Sequence, residues 1–101
     1  MSELGAQLEI SATDEGWELL GEIDAHTAPM LADAMAGLPA SVATVDLAGV
    51  SFMDSSGLRV LMDATTRARD SGGDLIIARP TAAIVRLVEI SGLGGRLRLE
   101  H

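Results

Sequence analysis

Polar and apolar side chains alternate from Ala6 to Ser11, with Leu8 and Ile10 on one face and Gln7 and Glu9 on the other. This period of two predicts a half-buried strand. Ala12 to Gly16 reads as a turn, after which Trp17, Leu19 and Ile23 oppose Glu18 and Glu22 along a second strand, Trp17 to Ile23. The two strands are expected to form a hairpin with an acidic outer face. The spacing then becomes helical, because Leu31, Met35 and Leu38 recur across Thr27 to Leu38. Thr27 is placed to cap this helix, Pro29 is tolerated in its first turn, and Gly37 with Pro39 stops it. Val42 to Leu47 predicts a short third strand, and Ala48 to Asp54 a loop.

A second helix is expected to begin near Ser55, where Leu58, Leu61, Met62 and Thr65 make one stripe and Arg59, Asp63 and Arg67 follow at four-residue intervals on another. Gly72 and Gly73 end it. The continuous apolar run Leu75 to Ala78 suits a strand buried on both faces, so Val42 to Ala78 reads as a right-handed βαβ unit. A third helix follows Pro80, with Ile84, Leu87, Val88 and Ser91 on one side and Gly92 at its end, and Arg96 to Leu99 alternates as a last strand. The expectation is a single α/β domain over residues 1–101. Its order is ββαβαβαβ, with one mixed sheet of four to five strands packed against three or more helices.

Length and composition agree with that reading. A chain of 101 residues, 48% of them hydrophobic, suffices for one core and leaves little for a second domain. The formal net charge is −8, and all seven basic residues are arginine, the first being Arg59. Ten of the fifteen acidic residues precede it. A phosphate backbone needs basic side chains to displace its counterions, and Trp17 and Phe52 are the only aromatics, so nucleic acid is a poor candidate partner. The absence of cysteine excludes disulfides, a thiol nucleophile and a zinc–thiolate site. No basic leader followed by an apolar segment opens the chain, and no apolar run approaches membrane-spanning length, so a soluble cytoplasmic protein is expected. The closing Leu99-Glu100-His101 resembles an expression-tag remnant, and His101 is assigned no role.

Most catalytic templates fail. Without lysine there is no phosphate-binding loop, Schiff base or Ser–Lys pair, and Asp54-Ser55-Ser56-Gly57 is not a nucleophile elbow. His26 lies beside Asp24 and could meet Ser55 across adjacent strand ends, but a loop histidine of this kind is more often a surface residue or turn former than a base. Asp24 and Asp54 without a flanking ligand cluster are a weak metal signal. Neither a metal nor a cofactor is expected, and a hydrolase or nucleotide-binding reading is disfavoured.

The segment Phe52-Met53-Asp54-Ser55-Ser56-Gly57-Leu58 delivers the chain onto a helix N-terminus. There Ser55 can accept a first-turn N–H, and Gly57 keeps the surface low. Helix capping is the simplest explanation of such a segment. The same geometry would also place a phosphate carried on a serine over free N–H groups at the positive end of the helix dipole, so the fold need not change to accept it.

Gly21-Glu22-Ile23-Asp24, Val45-Asp46-Leu47, Val50-Ser51-Phe52-Met53-Asp54-Ser55-Ser56-Gly57-Leu58 and Ile90-Ser91-Gly92-Leu93 occur in that order along nearly the whole chain. Together they resemble the successive signatures of STAS domains of the bacterial anti-sigma-factor antagonist type. The D-S-S-G-L core is the specific part. The resemblance implies partner switching: the unphosphorylated antagonist binds an anti-sigma factor that is also a serine kinase and so frees a sigma factor. Phosphorylation at Ser55 then ends binding, and a PP2C-like serine phosphatase restores it. The residues alone do not separate Ser55 from Ser56; that choice comes from the resemblance.

On this reading Asp24, Asp54, Ser55, Ser56 and Gly57 form the centre of a docking face with Arg59 at its edge. The chain is substrate and ligand rather than enzyme, and ATP, magnesium and the catalytic base reside in the kinase. Arg59 departs from the small residue common at that point in the family, and could instead pair with Asp63. The acidic first half of the chain is expected to frame Ser55. The alternative is a STAS adaptor that is never phosphorylated, in a transport or stress-signalling complex.

Overall fold

The computed structural model describes residues 7–37 and 41–101. Strands β1 (Leu8–Ala12) and β2 (Gly16–Ile23) form the expected hairpin, followed by helix α1 (Ala28–Met35), strand β3 (Val42–Met53) and helix α2 (Ser55–Asp70). Strand β4 (Asp74–Ala78), helix α3 (Ala82–Ser91), a 3-10 turn (Gly94–Arg96) and strand β5 (Arg98–Glu100) complete the order. The sheet runs β1-β2-β3-β4-β5, antiparallel between β1 and β2 and parallel thereafter. Leu99 pairs with Ile77 and Glu100 with Ala78, so the segment resembling a tag remnant supplies part of a strand. Leu38 and Pro39, expected at the end of the first helix, lie outside the described residues.

Because four parallel strands lie side by side in chain order, every right-handed crossover steps the same way and lands its helix on the same face. All three helices therefore cover one side of the sheet. Leu31 and Met35 of α1, Leu58 and Leu61 of α2, and Ile84 and Val88 of α3 close over Val45, Leu47, Leu75 and Ile77. Each such side chain contributes about 1.5–3 kcal/mol by leaving water, which fixes the helices far more firmly than their caps do. On the open face, Glu9, Glu18, Leu20 and Glu22 are exposed, and Asp46 is half-buried.

The predicted loop Ala48 to Asp54 is instead the second half of the twelve-residue β3. Two bulges account for the difference. Glu18 and Leu20 of β2 lie opposite Asp46 and Gly49, and Gly21 and Glu22 lie opposite Val50 and Phe52, so β3 carries an extra residue at each point. Each insertion shifts the alternation, which is why the inward positions run Ala43, Val45, Leu47, Val50 and Met53. The extension carries β3 to the end of β2, where the Asp54 N–H bonds the Ile23 carbonyl at 3.1 Å.

Candidate functional site

The carboxyl ends of β2 and β3 deliver two short turns side by side. In the first, Asp24 Oδ1 accepts the His26 N–H at 2.9 Å and the Thr27 N–H at 3.0 Å. The Thr27 hydroxyl accepts the Asp24 N–H and donates to the Glu22 carbonyl, each at 3.0 Å. Thr27 occupies the N-cap position of α1, as its place in the sequence suggests, but its side chain makes no capping bond. Its hydroxyl is taken up by the strand end, and Asp24 supplies the acceptor for the entering turn. The Thr27 N–H holds the Asp24 carboxyl below the usual carboxylate range; burial opposes this and the His26 N–H adds to it.

In the second turn, Asp54 is the N-cap of α2 and Asp54 Oδ1 accepts the Ser56 N–H at 2.8 Å and the Gly57 N–H at 3.4 Å. The expectation that Ser55 makes this bond is corrected. Asp54 has the extended backbone that turns a capping oxygen back over the first turn, whereas Ser55 is already the first helical residue. Ser55 is left exposed, and among the described residues its hydroxyl has no hydrogen-bond partner; Ser56 is half-buried. Gly57 is buried, and a Cβ there would lie 2.6 Å from Ile23 Cγ2 and 2.7 Å from Met53 Cγ. Its contribution is the close seating of α2 on the ends of β2 and β3, not a surface contact.

Two grooves flank the start of α2. One, of about 640 Å³, lies against α1 and is lined by Ala25, Ala28, Pro29, Ala32, Ser55, Ser56, Arg59 and Val60. The other, of about 380 Å³, lies towards the end of α3 and includes Ser55, Leu58, Arg59, Met62, Asp63, Ser91, Leu93 and Arg96. Ser55 and Arg59 belong to both, so they form the ridge between them. Sequence reasoning missed the groove walls. Small residues on the side of α1 that meets the groove and the Ser91-Gly92-Leu93 turn carried the available signal. Gly92 ends α3 in the left-handed conformation at φ 78°, and the Ser91 hydroxyl donates to the Val88 carbonyl at 2.7 Å.

The charges around Ser55 differ from expectation. Among the described residues, Arg59 is the only charged one lining the first groove, and Arg59, Asp63 and Arg96 are those lining the second. Of the acidic first half of the chain, Asp54 and Asp24 stand at the strand ends beside Ser55, whereas Glu9, Glu18, Glu22 and Asp46 alternate onto the open face of the sheet, and Asp14 and Glu15 sit in the hairpin turn at the other end of β2. Sequence position could not show this, because a parallel strand sends its side chains to its faces and only its terminal residues to its end. Arg59 is exposed and makes no ion pair with Asp63 or any other described residue.

His26 is exposed and lines neither groove. Among the described residues, no group of three or more His, Asp or Glu side chains is placed to hold a metal, and no helix is long and apolar enough to cross a membrane.

Comparison with known proteins agrees with this fold. The family described as "Mlab, STAS domain" matches residues 7–100. The chain is 34% identical over 84 residues to the anti-sigma-B factor antagonist of Listeria monocytogenes, covering 80% of this chain and 74% of that protein. It is 34% identical over 77 residues to the Bacillus subtilis protein of the same name, covering 74% and 71% respectively. The crystal structure of an anti-sigma factor antagonist from Mycobacterium paratuberculosis superposes with a TM-score of 0.76 at 25% identity, over 93% of this chain and 84% of that one. With the fold, the D-S-S-G-L turn and these matches in agreement, the chain belongs to the STAS-domain family, alongside relatives named anti-sigma factor antagonists.

Proposed function

We propose that this protein is an anti-sigma-factor antagonist that works by partner switching at Ser55. In its unphosphorylated form it binds an anti-sigma factor that is also a serine kinase, and the bound sigma factor is released. Phosphorylation of Ser55 ends that binding, and a PP2C-like serine phosphatase restores it. The kinase supplies ATP, magnesium and the catalytic base; this chain is the substrate and ligand. Asp24 and Asp54 shape the docking face, Ser55, Ser56 and Arg59 present it, and Gly57 seats it.

The observation that carries this reading is the free, exposed Ser55 hydroxyl on the ridge between two grooves, with the capping bond made by Asp54 instead. A phosphate can be added there without removing a hydrogen bond that the helix needs. The charged residues lining the two grooves sum to a single positive charge. A phosphate adds about −1.5 to −2 at neutral pH, more than that charge, so modification makes the groove walls net negative on a face that already carries Asp24 and Asp54. A partner complementary to the first state meets uncompensated charge in the second, and each 1.4 kcal/mol or so of that mismatch is tenfold in affinity.

The test is to incubate the protein with ATP and each anti-sigma kinase encoded in its own genome, then locate any phosphate by mass spectrometry. The expected result is one phosphate, on Ser55, absent from Ser55→Ala. Modification of Ser56 alone contradicts the assignment. Stable binding without modification by any of the kinases identifies an adaptor instead.

A further inference from the structure

Arg59 is the one charged residue common to both grooves, and it shares their walls with Ser55. The two are four residues apart on α2, a spacing that sets their Cβ atoms about 5–6 Å apart on one face of the helix. Helical side chains lean towards the N-terminus, so the long Arg59 side chain covers the turn that carries Ser55 rather than the turn that carries Asp63. Charge order along the helix agrees. A negative group four residues before a positive one is the favourable arrangement, and the reverse order, Arg59 before Asp63, is the poorer one. No ion pair forms between Arg59 and Asp63, and the guanidinium has no other ionic partner among the described residues.

We propose that Arg59 is the intramolecular counter-ion of the phosphate carried on Ser55. This inference rests on the reading of Ser55 as the modified residue. In the unmodified protein Arg59 offers its charge outward to a partner; once Ser55 carries phosphate, the guanidinium turns to the phosphate oxygens. One modification then removes a positive group from the docking surface as well as adding a negative one. The other charged groups near this point do not fill the same role. Asp63 and Asp54 are anionic, the Asp54 carboxylate is engaged with the Ser56 and Gly57 N–H groups, and Arg96 stands across the second groove on the turn before β5.

The test installs phosphoserine at position 55 during translation and follows its second ionisation by phosphorus NMR, so it does not depend on any kinase. An arginine on the dianion lowers that pKa. Arg59→Gln is expected to raise it by about 0.2 to 0.4 pH units, with most of the shift recovered by Arg59→Lys. Arg67→Gln, two turns further along the helix, is expected to leave it unchanged. Identical titrations for wild type and Arg59→Gln overturn the proposal, as does an equal or larger shift with Arg67→Gln or Arg96→Gln. Failure of every cellular kinase to modify Ser55 would instead overturn the partner-switching reading and leave this pairing standing.

Discussion

Asp54 caps helix α2 by accepting the Ser56 N–H at 2.8 Å, and in doing so it frees Ser55, the residue between them. One side chain holds the helix and its neighbour is left without a capping task. On the proposed function, this separation lets Ser55 change charge while the fold keeps its cap.

Removing the cap should therefore cost stability without touching the Ser55 hydroxyl. Asp54→Ala leaves the first-turn N–H groups without a side-chain acceptor and is expected to lower unfolding free energy by about 1 kcal/mol, whereas Asp54→Asn or Asp54→Ser should recover most of it. Ser55→Ala is expected to lie within about 0.5 kcal/mol of wild type, because Ser55 makes no capping bond. Urea unfolding followed by the fluorescence of Trp17, the single tryptophan, measures both.

Gly57 is required by close approach. A Cβ 2.6 Å from Ile23 Cγ2 must push α2 away from the strand ends, and Gly57→Ala is expected to destabilise by about 1–3 kcal/mol. Gly37→Ala is the matching control, because nothing lies within 4 Å of a Cβ built there. It should be neutral or slightly stabilising, since alanine restricts the unfolded chain more than glycine does. The same unfolding experiment separates the two positions.

Acid should unfold the protein through carboxylates that lie away from the ridge between the two grooves as well as through Asp24. The Arg79 guanidinium holds the Asp46 carboxyl low against the effect of burial, with help from the Ala48 N–H. Burial pushes Asp74 up but is outweighed by Arg69, bonded at 2.8 Å, together with the Leu75 N–H and Arg98. A carboxyl whose pKa is depressed on folding stabilises the protein above its unfolded value, near 3.9 for aspartate, and that stabilisation is lost as pH falls through the folded value. The denaturation midpoint is expected to be insensitive to these groups from about pH 5 to 7 and to fall below about pH 4. Asp46→Asn should flatten the acid limb, and a midpoint that rises on acidification would contradict the assignment.

Much of this was legible in the chain. Leu8, Leu19 and Ile23 marked the hairpin, Leu58 and Leu61 marked α2, and Gly92 marked the end of α3, because each lies in a single uninterrupted period. The second half of β3 was not legible: its bulges at Ala48 and Ser51 break the alternation, and only pairing with β2 reveals that the strand continues. At the site, D-S-S-G pointed to a helix start, but Ser55 and Asp54 are both good capping residues and only backbone conformation decides between them. The acidic first half of the chain misled for a different reason. Its carboxylates precede Ser55 in sequence, while the sheet sends Glu9, Glu18, Glu22 and Asp46 to a face that Ser55 does not share and leaves, among the described residues, only Asp24 and Asp54 at the strand ends beside it.

The central claim is tested most directly by titrating the cognate anti-sigma factor with three forms of this protein in a calorimeter: unmodified, phosphorylated on Ser55, and Ser55→Ala. The account predicts equal, tight binding for the unmodified and Ser55→Ala forms and at least tenfold weaker binding for the phosphorylated form, with Ser55→Asp falling between; tenfold corresponds to about 1.4 kcal/mol. Equal affinity for the phosphorylated and unmodified forms would contradict it.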